Sequence, residues 1–267
     1  MISWAQNLED VMLARALQGV AQGFYIDVGA FDPNVDSVTR HFYEHGWRGI
    51  NIDPIPAQLA AFTRVRPRDV NLCVAAGARS GTLRCFDFSP VGLSTLDAEV
   101  AAAMRARGYE YREIDVPVRT LAEIIDEHGD ATIDFLKIDV EGAEADVLAG
   151  CDFGRHRPRI VVVEATAPMS PRATHDDWEP TLLRHGYVFA WFDGLNRFYV
   201  RREDADLLQH FRVQPNVFDD YVRGNAVRDA DRRGLGRIRR IPGRARKFLS
   251  RTRQWLAGRD GDMGTKR

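Results

Sequence analysis

Lysine is nearly missing from this chain of 267 residues: only Lys137, Lys247 and Lys266 stand against 34 arginines. A coding bias toward G and C accounts for that. Cysteine is as scarce. Cys73, Cys85 and Cys151 are odd in number, far apart and without any C-x-x-C spacing. A disulfide frame and a zinc knuckle are therefore excluded, and the three read as reduced thiols of a cytosolic protein. No apolar run approaches the roughly 18 residues that span a bilayer. The opening Met1 to Asp10 has no basic stretch and carries two acids, so a signal peptide is not expected. The glycines of a dinucleotide fingerprint are missing too. After Gly29 come Ala30, Phe31 and Asp32, where G-x-G-x-x-G would continue.

What is present is an ordinary globular composition, 45% apolar and 28% charged, with a formal net charge of −1. That small number hides an asymmetry. From Arg223 to Arg267 there are fifteen basic and four acidic residues, a local balance of +11, so the preceding body is at −12. Within the tail, Ile238, Ile241, Ala245, Phe248, Thr252 and Trp255 recur at steps of three and four between arginines. The pattern fits an amphipathic helix on an anionic membrane surface. A disordered basic tail and a helix docked on the acidic body fit it as well. No nucleic-acid recognition motif accompanies it. The expected organisation is a body over residues 1–212, a polar linker over 213–235 and a basic tail over 236–267.

The body alternates strand-like and helix-like runs. Strands are expected at 24–28, 47–53, 70–75, 81–88, 113–118, 133–140 and 159–164, then a hairpin of 187–192 and 197–200 around Asp193-Gly194. Pro117 suits an edge strand. Helices are expected through Val35, Val38 and Phe42, over 55–66, from the capping box Thr120-Leu121-Ala122-Glu123, over 143–149 and over 176–184. This alternation predicts an α/β fold with a mainly parallel sheet covered on both faces and one antiparallel strand at an edge.

In such sheets ligands sit beyond the carboxyl ends of the strands. Four runs end in carboxylates there: Asp27, Asp53, Asp139 with Glu141, and Glu164. Asp53 is placed to accept ribose hydroxyls. Without a pyrophosphate cradle, the ligand is an adenosine-type cofactor such as S-adenosylmethionine, or another nucleotide.

The segments 25–33 (YIDVGAFDP), 42–49 (FYEHGWRG) and above all 134–144 (DFLKIDVEGAE) resemble the FkbM family of S-adenosylmethionine-dependent methyltransferases. The likeness runs from about Ser3 to Val200, and the opening Gln6 to Asp10 is similar to members acting in polysaccharide and glycolipid biosynthesis. The resemblance implies a Rossmann-like class I methyltransferase fold, a seven-stranded sheet with an antiparallel edge hairpin, and O-methylation of a sugar or polyketide hydroxyl; the expected acceptor is a sugar hydroxyl in a cytoplasmic glycan or glycolipid precursor, at the inner membrane face if the tail binds there. The expected cofactor contacts are Gln6, Asp27, Gly29, Ala30, Asp53, Ala75 and Asp139.

A hydroxyl acceptor must lose its proton, which calls for a base or a metal. Asp139, Glu141, Glu164 and His175 are the candidates, with Asp139, Glu141 and His175 favoured for catalysis, His175 because it sits in a long loop after the last parallel strand. Asp139 and Glu164, on neighbouring strands, are candidate ligands of a divalent cation such as Mg. Asp139 and Glu141 can equally cap the following helix. Lys137 is expected in a structural ion pair. Gln6, Asn7 and Glu9 either cap the cofactor or form a solvated helix start, and Trp191 and Phe192 either pack in the core or stack on a sugar. A nucleotide-sugar oxidoreductase and a non-catalytic recruiting module are the rival readings.

Overall fold

The computed structural model describes residues 1–88 and 93–226. In chain order the elements are β1 (Ile2–Ser3), α1 (Glu9–Ala16), β2 (Phe24–Val28), α2 (Arg40–Glu44), β3 (Arg48–Ile52), α3 (Pro56–Val65), β4 (Val70–Leu72), β5 (Ala75–Ala76), β6 (Gly81–Asp87), α4 (Ala98–Ala106), β7 (Arg112–Arg119), α5 (Leu121–His128), β8 (Phe135–Ile138), α6 (Glu144–Ala149), β9 (Ile160–Glu164), α7 (Glu179–Arg184), β10 (Tyr187–Phe192), β11 (Asn196–Arg201) and β12 (Val222–Arg223). Short 3-10 turns cover His175–Asp177, Arg202–Phe211 and Val217–Asp219.

Residues Trp4–Pro215 form one compact unit. Its central sheet has seven strands in the order β10-β11-β9-β8-β2-β3-β4. The strands β9, β8, β2, β3 and β4 run parallel. The hairpin stands at the edge as expected, but the antiparallel strand within it is β11, one position in from the edge. Alternate side chains of the middle strands enter two cores. Phe24, Ile26, Val28, Leu136 and Ile138 face one layer with Leu121, Ile124 and Val147. Tyr25, Phe135, Ile160 and Val162 face the other with Met12, Leu13 and Phe42. Burial on both faces is why these strands read as continuous apolar runs.

A second sheet in this unit, in the order β5-β7-β6, was not legible as such. Pro117 lies in its middle strand, not at an edge as its type suggested. The fold tolerates it because β5 pairs only with Val118 and Arg119, so Pro117 has a neighbour on one side alone, Thr82. The helix expected through Val35 is limited to Arg40–Glu44. Asp32 Oδ1 accepts from the N–H groups of Asn34 and Val35, and Asp36 is left-handed, so the chain turns before it winds. The capping box at Thr120 forms in full.

In the other unit, Ile2–Ser3 pairs in parallel with Val222–Arg223, so part of the expected 213–235 linker is ordered. The basic segment 236–267 lies outside the described residues. Among the described residues no helix is long and apolar enough to cross a membrane.

Candidate active site

A cleft enclosing about 1080 Å³, its open mouth included, lies at the carboxyl ends of β2, β3 and β8, under the three-stranded sheet. Gly29 forms its floor. Its N–H donates to Ile52 O, and Asp139 N–H donates to Val28 O, so the turn is wedged between β3 and β8. Gly29 has φ +75°, and a Cβ there would lie 1.7 Å from the Asp139 carbonyl oxygen. Only glycine fits.

Asp53, 4% exposed, ends β3. Its Oδ2 accepts from Phe31 N–H at 3.0 Å and its Oδ1 from Ile55 N–H at 2.9 Å. The Gln58 amide, its nitrogen turned toward Asp53, adds donors at 2.7 and 3.0 Å. Burial pushes the carboxyl up to about 6, while the backbone donors oppose the shift.

Asp27 does not line the cleft, contrary to its expected cofactor contact. It is buried beneath the floor, where Thr39 Oγ1 donates to its Oδ2 at 3.0 Å. Lys137, its register partner on β8, has Nζ 3.5 Å from Asp27 Oδ1, 3.2 Å from Asp139 Oδ2 and 3.2 Å from Gly29 O. This is the expected structural ion pair, and it pins the glycine turn from below. Burial lowers the Lys137 ammonium, but Asp139 and Asp27 together raise it further, so it stays charged.

Beyond β8 the chain makes a left-handed turn at Glu141 and Gly142, with φ of +54° and +107°. Glu144 Oε1 holds it by accepting from the N–H groups of Val140 and Gly142. Asp139, Glu141 and Glu164 offer carboxylate oxygens that all lie within 4.8 Å of one another, the donor set of a hard divalent cation. Glu141 Oε2 is buried with no partner. Burial, then the charge of Asp139, pushes Glu141 up to about 8, and the same causes raise Glu164.

Gln6 reaches the cleft as expected. Two buried acids of α1 present it. Asp10 Oδ2 accepts from Trp4 N–H at 2.8 Å, and Glu9 Oε2 accepts from Asn7 N–H at 2.8 Å. Glu9 Oε1 takes Asn196 Nδ2 at 2.9 Å, so Glu9 supports the wall.

Ala30, Ala75, Asp139 and Glu141 also line the cleft. His175 does not. It begins a 3-10 turn beyond the loop after β9, with Asp176 Oδ1 3.5 Å from its Nε2. Sequence reasoning missed Gln58 beside Asp53, and Cys85, Leu93, Ser94, Thr95 and Leu96 along the rest of the lining. Asp97, which caps α4 through Glu99 and Val100 N–H, was the available signal for that stretch.

The cleft fits S-adenosylmethionine. Its glycine floor admits close approach, its strand-end acid is of the kind that accepts ribose hydroxyls, and among its lining residues Lys137, turned to its own carboxylates, is the single cation, so none of these side chains is free to cradle phosphate.

No curated protein matches the chain. Solved structures similar at low identity include three methyltransferases. A precorrin-6y C5,15-methyltransferase from Geobacter metallireducens GS-15 has 16% identity and a TM-score of 0.37, over 68% of this chain and 72% of that one. A TehB-like SAM-dependent methyltransferase from Corynebacterium glutamicum has 10% identity and a TM-score of 0.38, over 72% and 88%. An O-methyltransferase from Bacillus cereus in complex with SAH has 9% identity and a TM-score of 0.38, over 75% and 83%. The family model of the FkbM methyltransferase domain matches residues 27–189, from the end of β2 through the glycine turn, Asp53 and the acid cluster to the start of the hairpin. The chain belongs to the FkbM family of S-adenosylmethionine-dependent methyltransferases.

Proposed function

We propose that the protein is an O-methyltransferase whose acceptor is a sugar hydroxyl of a glycan or glycolipid precursor. The observation that carries this reading is the cluster of Asp139, Glu141 and Glu164, of which Asp139 and Glu141 line the cleft. S-adenosylmethionine bound in the cleft supplies a methyl group on a positively charged sulfur. The work left to the chain is to place a hydroxyl in line with that methyl and to take its proton.

Asp139 suits the proton's acceptor, being half-exposed at the cleft wall, with Lys137 holding its Oδ2. Glu164, 8% exposed, backs it from β9. Sugar hydroxyls are weak acids, so a nearby carboxylate matters more here than for an amine or thiol acceptor. Asp139→Asn should lower kcat by roughly 10²–10⁴-fold with cofactor affinity within a few-fold of the parent. Unchanged turnover would remove Asp139 as the base. Mass spectrometry of glycans from cells lacking the protein tests the acceptor class: a glycan lighter by one methylene supports it, and an unaltered glycan profile counts against it.

The unpartnered Glu141 Oε2 favours a second reading, in which a divalent cation on the three carboxylates acidifies the hydroxyl. Activity that falls on EDTA dialysis and returns with Mg selects it; activity indifferent to EDTA selects the direct base.

A further inference from the structure

The cleft uses the ends of β2, β3, β5 and β8. The acceptor is left the side of the acid cluster toward β9, between α4 and the loop that follows Glu164. The first turn of α4 packs on the acid turn: a Cβ on Gly142 would meet Val100 at 3.1 Å, and Thr95 Oγ1 donates to Glu141 O at 2.7 Å. The helix then runs nine residues, about 13 Å at 1.5 Å per residue. At its far end Arg107 does not fold back on the helix carbonyls. It reaches across the chain, and its Nη1 donates to Met169 O at 3.4 Å.

Met169 belongs to the loop after β9, which is braced from within. Thr166 bridges Ala173, Ala167 N–H donates to Arg172 O, and Arg172 N–H donates to Ser170 Oγ. The backbone of Arg172 is thereby fixed beside the Met169 corner. Arg84, Arg155, Arg157, Arg159 and Arg197 all meet carboxylates. Among the described residues no carboxylate pairs with the Arg107 or Arg172 side chain, and both residues are exposed.

We propose that the methyl acceptor carries an anionic group, a phosphate or a carboxylate, held by the Arg107 and Arg172 guanidinium groups at the end of α4 remote from the acid cluster. The proposal rests on the reading of the site as an O-methyltransferase. Charge separation gives its physical reason. An anion beside Asp139, Glu141 and Glu164 would be repelled. Both arginines are exposed, so that repulsion is damped by salt, whose Debye length is roughly 8 Å at physiological strength. The planar fork of arginine matches both phosphate and carboxylate oxygens.

The test uses the full chain saturated with S-adenosylhomocysteine, titrated with inorganic pyrophosphate, with glucuronate and with glucose as the uncharged control. At least one anion should bind roughly tenfold or more tightly than glucose, and the affinity should fall with salt. Pyrophosphate alone identifies a phosphate, and glucuronate alone a carboxylate. The R107Q/R172Q double variant should lose roughly tenfold or more of that anion affinity while binding S-adenosylhomocysteine like the parent. Equal binding of glucose and the anions, or anion binding unaltered in the double variant, overturns the proposal. A parent protein that binds no S-adenosylhomocysteine at all would overturn the reading of the cleft itself, a result distinguishable from the loss of anion binding alone.

Discussion

At the scale of single residues, the site depends on groups whose roles are set by what surrounds them. Gly29→Ala must either push the β8 end away or leave the left-handed region, because its Cβ has no space before the Asp139 carbonyl. Loss of S-adenosylhomocysteine binding by calorimetry is the expected outcome. Lys137 is the one cation between Asp27 and Asp139, and Lys137→Met leaves buried Asp27 Oδ1 without it. Removing one partner of a buried pair costs about 3–5 kcal/mol, which urea unfolding should report. Asp53 gives a pH signature. To accept ribose hydroxyls it would have to be a carboxylate, and burial brings its titration to about 6. Affinity for neutral S-adenosylhomocysteine should therefore be constant above that value and fall as pH drops through it. Asp53→Asn should remove the pH dependence along with the affinity. These acids were legible because each ends an apolar run. That Asp27 lies beneath the floor was not legible: its register opposite Lys137 is a property of the pairing between β2 and β8.

At the scale of elements, local chemistry was readable wherever it was self-contained. The Thr120 capping box satisfies its own donors within four residues and forms as the sequence dictates. Thr120→Ala should cost about 1 kcal/mol, measurable in the same unfolding experiment. Elements whose form depends on distant partners were read less well. The Gly81–Asp87 strand was expected, but nothing in its residues says that it pairs with Arg112–Arg119 to roof the cleft. The turn between β8 and α6 behaves likewise. Its Glu-Gly pair is visible in the sequence, yet the titration of Glu141 near 8 arises from burial and from Asp139. A raised carboxyl pKa means the acid is mostly neutral below about 8. A cation bound beside it favours the ionised form and expels the proton. Affinity for the cationic S-adenosylmethionine should thus rise with pH toward and through 8, while that for its neutral thioether product should not. Parallel pH dependences for the two ligands would rule out a charged Glu141 next to the sulfonium.

At the scale of the whole molecule, a mainly parallel sheet follows from strand and helix alternating along the chain, because parallel neighbours need crossover connections. The position of β11 one strand in from the edge does not follow, since a hairpin can add to a sheet by either of its arms. Nor does the layering of a second sheet over the cleft, which joins residues from Ala75 to Arg119 to the carboxyl ends of β2, β3 and β8. That layering has a thermodynamic consequence. A ligand in the cleft touches both sheets, so it binds the native arrangement and has no counterpart in the unfolded chain. At one hundred times its Kd such a ligand stabilises by about 2.7 kcal/mol. For a folded unit of this size each kcal/mol moves Tm by roughly 2–4 °C, so S-adenosylhomocysteine should raise Tm by roughly 5–10 °C. NAD should not, because the turn after β2 lacks the second and third glycines that would let a pyrophosphate approach the backbone. A Tm raised by NAD and untouched by S-adenosylhomocysteine would transfer the cleft from methyl transfer to hydride transfer.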